Sequence, residues 1–270
     1  MSKGKDGSTE ATTSVELVVA GSSETGVTPV HTNRGFENVA VETVTMPIAK
    51  LLQPISKELT DEGFADYNFK AGNIIHSILL EKLPETFIPL IMNDNKICFV
   101  PKQDAGKAAL KAKRPELTDD DFKGSFVCRS EDNITGTRFG SCQACGLAEF
   151  DGNEAPFCTK NINVLSVFEG EDLPVVIRFA NTSHKHGRAF KNLAYFSRGD
   201  LFTRKYKLLP LKKTDKGNTW FELTVKPAGK TSDAEFAMAE DMYSMFKNMM
   251  IEVNDPDEHV SAEPVVVAEF

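Results

Sequence analysis

Four of the chain's five cysteines, Cys128, Cys142, Cys145 and Cys158, fall within 31 residues, the middle two as a Cys-x-x-Cys knuckle in Gly-Ser-Cys-Gln-Ala-Cys-Gly. That spacing constrains the fold more than any other feature. Cys-x-x-Cys delivers two thiolates from one tight turn, and single cysteines on either side close a tetrahedron around zinc. Gly140 and Gly146 permit the backbone angles of such a turn. Four buried thiols or two disulfides are the competing readings. A sphere of four cysteines leaves no open coordination position, so the zinc is expected to be structural rather than catalytic. Its binding adds order to a segment, 124–160, that shows little apolar content of its own. The fifth cysteine, Cys98, lies in the apolar run Lys-Ile-Cys-Phe-Val and is expected to act as a small core hydrophobe.

The N-terminal residues lack the apolar stretch of a secretory signal, and no later run approaches the ~18 apolar residues of a membrane span. The expectation is a cytoplasmic protein with no membrane association. In a reducing cytosol, clustered cysteines are metal ligands more often than disulfides.

The net charge is −8, which by itself argues against nucleic acid. Its distribution argues the other way. Arg178, Lys185, Arg188, Lys191, Arg198, Arg204, Lys205, Lys207, Lys212 and Lys213 face only Asp200 in their segment, whereas 233–270 carries ten acids against Lys247. A basic body followed by an acidic tail implies an electrostatic partner and an internal competitor for it.

Residues 1–35 are rich in Ser, Thr, Gly and Glu without apolar periodicity and are expected to be disordered. A core over 36–231 follows. A short strand and a helical turn are expected over 39–52, then strands over Gly72–Leu80, Phe87–Met92 and Lys96–Val100. Asp104 is placed as N-cap of a solvent-facing basic helix ending at Lys113. Asn163–Phe168 and Pro174–Ala180 read as strands, and Ser183 caps a helix with Phe190, Leu193 and Ala194 on one stripe. Leu201–Leu211 and Asn218–Val225 form a hairpin turned by Lys216-Gly217-Asn218. Ser232 and Glu235 match a capping box opening an amphipathic helix over 232–251, with Phe236, Tyr243, Phe246 and Met250 on its apolar face. An acidic flexible tail, 252–270, ends the chain.

Single strands are bound by surfaces that pair phosphates with Lys or Arg and stack bases on aromatic rings. Between Arg178 and Phe221 the two residue types interleave. Phe179, Phe190 and Phe221 are assigned to the core. Trp220, on the opposite face of its strand from Phe221, is the first stacking candidate, with Tyr195, Phe202 and Tyr206 behind it. The contact set is thus Arg178, Lys185, Arg188, Lys191, Tyr195, Arg198, Phe202, Arg204, Lys205, Tyr206, Lys207, Lys212 and Trp220. A solvated basic face over ordinary core aromatics is the plainer alternative. No Ser/His/Asp arrangement, phosphate-cradling glycine loop or carboxylate dyad is evident, so no enzyme is expected.

The tail, ending Val-Val-Val-Ala-Glu-Phe, resembles the acidic C-terminal tail of bacterial and phage single-stranded DNA-binding proteins, which ends in phenylalanine. It departs from that pattern in its dispersed acids and the apolar run Val265–Ala268. The segment from Phe126 to Phe168 is similar to zinc-containing phage proteins that handle single-stranded DNA on an OB-fold. The resemblance implies a mainly β, α+β fold: an OB-like β-barrel with a four-cysteine zinc loop and a C-terminal helix. It implies single-stranded DNA binding in phage replication or recombination, with Glu269 and Phe270 recruiting replication proteins. A zinc-ribbon adaptor for a polymerase or other protein is the alternative. A homo-oligomer is compatible with either.

Overall fold

A computed structural model of the chain describes residues 46–152 and 154–247. The N-terminal segment 1–35, the helix end beyond 247, and the tail with Glu269 and Phe270 lie outside the described residues. What is described is a mixed α+β protein built on one antiparallel six-stranded sheet that does not close into a barrel.

The order across that sheet is β10 (Asn218–Lys230), β9 (Arg204–Asp215), β3 (Thr86–Phe99), β7 (Cys158–Phe168) and β8 (Val175–Phe179). β4 (Phe126–Ser130) pairs the C-terminal half of β3, on residues that β9 does not reach. β3 merges the two strands expected over 87–92 and 96–100. Its middle, Asn93-Asp94-Asn95, reads as a break in sequence, yet Asn95 is buried and receives a 2.9 Å hydrogen bond from Asn161 Nδ2 on β7. A buried amide that finds a partner can remain in a strand interior. The same pairing extends β7 back to Cys158, five residues before its expected start.

The hairpin from β9 to β10 turns through Lys216 and Gly217, both with φ > 0, the geometry that matches the twist of two-residue hairpins. Helix α4 (His184–Phe196) connects β8 to β9 and buries Phe190 against Phe87, Phe179 and Tyr206. Gly187 permits this approach, because a Cβ there would stand 2.6 Å from the Phe179 Cβ. Ser183 precedes α4 but does not cap it through its side chain; its hydroxyl instead accepts a 2.9 Å bond from the Leu223 N–H on β10.

Helix α5 (Asp233–Phe246) begins at the expected capping box: Ser232 Oγ accepts from the Glu235 N–H, and the Glu235 carboxylate accepts from the Ser232 N–H. Its Phe236, Met238, Met242 and Phe246 cover a cluster made of Ile88, Leu90, Leu165, Val167, Val176 and Phe202. Met238 and Met242 therefore serve packing, whereas Met245 is exposed.

The segment at 48–52 is a strand rather than a helical turn. β1 (Ala49–Leu51) pairs β2 (Ile74–His76), and the chain around it touches both outer strands of the main sheet. Ile48 bridges Val176 on β8, while the Gln53 side chain exchanges two 2.9 Å hydrogen bonds with the Phe221 backbone on β10. A short helix, α1 (Lys57–Thr60), and a 3-10 turn over Glu62–Tyr67 follow.

Candidate functional site

The cysteine segment is built from β4, the small ladder of β5 (Thr135–Gly136) and β6 (Gly140–Ser141), the single turn α3 (Cys142–Cys145), and the start of β7. All five cysteines are free thiols. Cys128, Cys142, Cys145 and Cys158 line one cavity of about 20 Å³, room for a single water-sized sphere. Gly136 contributes to this space directly, since a Cβ on it would fall 2.8 Å from Cys128 Sγ. The donor chemistry and the size of the space fit one thiophilic ion. The sulfurs surround the cavity without an assembled sphere: among the described residues no three His, Cys, Asp or Glu side chains are arranged to hold an ion.

Contrary to expectation, this segment has an apolar core of its own. Leu110, Leu117, Val127 and Leu147 pack with Cys98 and Cys128, flanked by Phe122, Phe139 and Phe157. Leu110 comes from α2 (Asp104–Lys113), so that helix is not wholly solvent-facing, and its N-cap is Gln103 rather than Asp104. Its lysines are held by nearby acids: Lys107 by Asp104, Lys111 by Asp119, and Lys113 by Asp151 and Glu154. Arg114, after its last turn, donates a 2.6 Å bond to the Cys145 carbonyl and lies over the Phe139 ring.

Cys98 is buried as expected, but it does not stand among hydrophobes alone. In register it lies directly opposite Cys128 on one side and Cys158 on the other, which puts three cysteines side by side across three strands. Its hydrogen bond to Cys158, reinforced by burial, holds the Cys98 thiol protonated. The same bond draws the Cys158 pKa down against the effect of burial, helped by Lys96, Arg114 and Lys160. Cys158 is thereby biased toward thiolate, the form that binds metal. The odd spacing of Cys98 from the knuckle concealed it in the sequence; only strand pairing brings it in.

The basic segment is divided by the fold. Phe202 and Tyr206 are core residues, the first against Phe236 and Tyr243, the second against Phe87 and Phe190, so neither presents a ring for stacking. Their strand and turn face the sheet's packing layers, a placement that aromatic composition does not distinguish from exposure. Arg178 is also buried, its guanidinium over the Phe99 ring. Lys191 pairs with Asp94, Lys205 with Glu235, and Lys207 with Glu85.

Trp220 is partly buried, and its indole N–H points to Glu222. Glu222 is almost fully buried and also receives Lys185 at 3.0 Å and His186 at 2.8 Å. Burial pushes the Glu222 pKa up, but the bonds from His186, Lys185 and Trp220 outweigh it and hold the carboxyl below its ordinary value. His186 thus serves this carboxylate.

What remains exposed is more local. Tyr195 and Phe196, at the end of α4, are 81% and 78% exposed, with ring centroids 5.5 Å apart in an edge-on arrangement. Phe196 was not among the stacking candidates. Arg198, exposed, follows them, and Arg188, Arg198, Arg204 and Lys212 form no ion pair among the described residues.

A family model described as Pam3 phage gp34-like protein matches residues 23–252, well over half of the chain. The chain belongs to the Pam3 phage gp34-like family. The match spans the cysteine segment, the whole main sheet and both long helices that flank it, so membership in the gp34-like family attaches to the fold as a unit. No curated protein and no solved structure matches the chain. No helix among the described residues is long and apolar enough to cross a membrane.

Proposed function

We propose that this gp34-like protein binds single-stranded DNA in phage replication or recombination, on an OB-like sheet stapled by zinc, with its acidic C-terminal tail competing for the binding surface and recruiting replication proteins. The observation that carries the proposal is the exposed Tyr195–Phe196 pair beside Arg198. Two large rings held in water at one helix end, next to a cation without an ion pair among the described residues, supply the stacking and the phosphate contact that single strands need. The phage family supports the setting.

The test is anisotropy of labelled oligo-dT at two salt concentrations. Binding should weaken as salt rises, and Tyr195→Ala with Phe196→Ala should cost about 1–3 kcal/mol per base stacked. Failure of the intact and the tail-truncated protein to bind at low salt would overturn the reading.

In the same proposal Cys128, Cys142, Cys145 and Cys158 hold one structural zinc, closing on it by rotation of their side chains around the common cavity. Zinc measured by mass spectrometry should be one per chain and fall on Cys142→Ser. A protein adaptor is a second reading, supported by Ile134 and Phe150, which stand 68% and 73% exposed in the cysteine segment. A stable partner on pull-down together with indifference to oligo-dT would favour it.

A further inference from the structure

We propose that Cys98 and Cys158 form an oxidation site: a hydroperoxide joins them in a disulfide, which withdraws Cys158 from the four-cysteine set and releases the ion. The inference rests on the zinc reading above and gives that site its regulation. Five free thiols gather at this end of the sheet, but only Cys128, Cys142, Cys145 and Cys158 line the shared cavity. Cys98, wholly buried on β3, is the sulfur left over.

Strand register places Cys98 for the bond. It lies directly opposite Cys158 on β7. Facing residues of antiparallel strands stand about 4.5–5.5 Å apart at Cα, inside the roughly 4.4–6.8 Å that a disulfide spans, so the two sulfurs can join without moving the backbone. Cys128 faces Cys98 from the other side, on β4, and is the rival partner. Three observations favour Cys158. The Cys98 thiol is hydrogen-bonded to it. The β3–β7 register runs unbroken from Ile91–Leu165 to Cys98–Cys158, whereas the β3–β4 register slips between Cys98 and Phe99. Finally, Cys158 is half-buried and Cys128 is buried, so a small oxidant arriving from solvent reaches Cys158 before Cys128.

The step balances with one peroxide. The Cys158 sulfur attacks the O–O bond, one oxygen leaves as water, and Cys158 becomes a sulfenic acid. The Cys98 sulfur then displaces the hydroxyl, which leaves with the Cys98 proton as a second water. Two thiols together lose two electrons, and one peroxide is reduced to two waters. Three thiols remain around the cavity, one short of a closed zinc sphere. Because the new bond lies between β3 and β7, it staples the sheet while the knuckle loses its ion.

The test uses the full-length, zinc-loaded protein, hydrogen peroxide and a chromogenic chelator, followed by peptide mass mapping without reductant. The bound zinc should be released in full, with Cys98 and Cys158 recovered in one linked peptide pair, and dithiothreitol with added zinc should restore the original content. Cys98→Ala should load the same zinc, form no such link and lose the recovery, because Cys158 without a resolving thiol goes on to the sulfinic acid that thiols do not reduce. Cys98→Ser, closer in size, repeats the measurement should the alanine variant fail to fold. A link between Cys142 and Cys145 or between Cys98 and Cys128 in place of the expected one, or full recovery in the Cys98 variants, overturns the switch while the zinc reading stands. A parent protein that holds no zinc overturns the zinc reading and the switch with it.

Discussion

Single residues decide how much strain and charge the site tolerates. Gly136 is the sharpest case, since any side chain there meets Cys128 Sγ. Gly136→Ala should therefore destabilise the cysteine segment by about 1–3 kcal/mol, as overpacking does, and lower zinc affinity together with the melting temperature. A competition titration with a chromogenic chelator, run beside a thermal melt, checks both. Glu222 sits at the opposite electrostatic extreme. Replacing it with Ala leaves Lys185, His186 and Trp220 without their shared acceptor, and the expected cost is about 2 kcal/mol, measured by urea unfolding. That a sequence-level stacking candidate turns out to aim its indole at a buried carboxylate shows why residue type alone misplaces aromatics. Alternation along β10 puts Trp220 and Glu222 on one face correctly, but α4 covers that face with Lys185 and His186.

Among the elements, α5 is tied down by one ion pair whose pH range follows from its chemistry. Lys205, then the Ser232 N–H, hold the Glu235 carboxyl down at about 2, against an ordinary 4.5. A carboxylate depressed in the folded state stabilises it above the unfolded pKa and loses that contribution as pH falls. Docking of α5 should weaken between pH 4.5 and 2, visible as loss of near-ultraviolet dichroism from the Phe202–Tyr243 contact, and Glu235→Gln should remove this pH dependence. The capping box that starts α5 was legible because it is local, three residues apart. β4 and the first half of β7 were not, because their polar residues are buried by partners 30 to 66 positions away, as with Asn95 and Asn161. For the same reason the knuckle was legible and Cys98 was not. The satellite core under the cysteines escaped notice because Leu110 and Leu117 belong to a helix and a loop that precede the segment they support.

Across the whole molecule, removal of the tail is the broadest prediction. If the tail competes through charge, as proposed, deleting 252–270 should tighten oligo-dT binding at low salt and lose the effect as salt rises. An unchanged affinity at every salt concentration would remove the tail from the mechanism. The β1 segment has a consequence for how copies of the protein can meet. It occupies backbone groups of Phe221 on one outer strand and pairs with Val176 on the other, while Thr137 engages the Arg129 backbone on β4. Open strand edges are where chains add to one another by pairing backbones. Among the described residues all three margins are interrupted, so the sheet offers no continuous open edge on which a second copy could add a strand, and copies brought side by side in the proposed single-strand complex would meet through side chains rather than by fusing their sheets into a fibre.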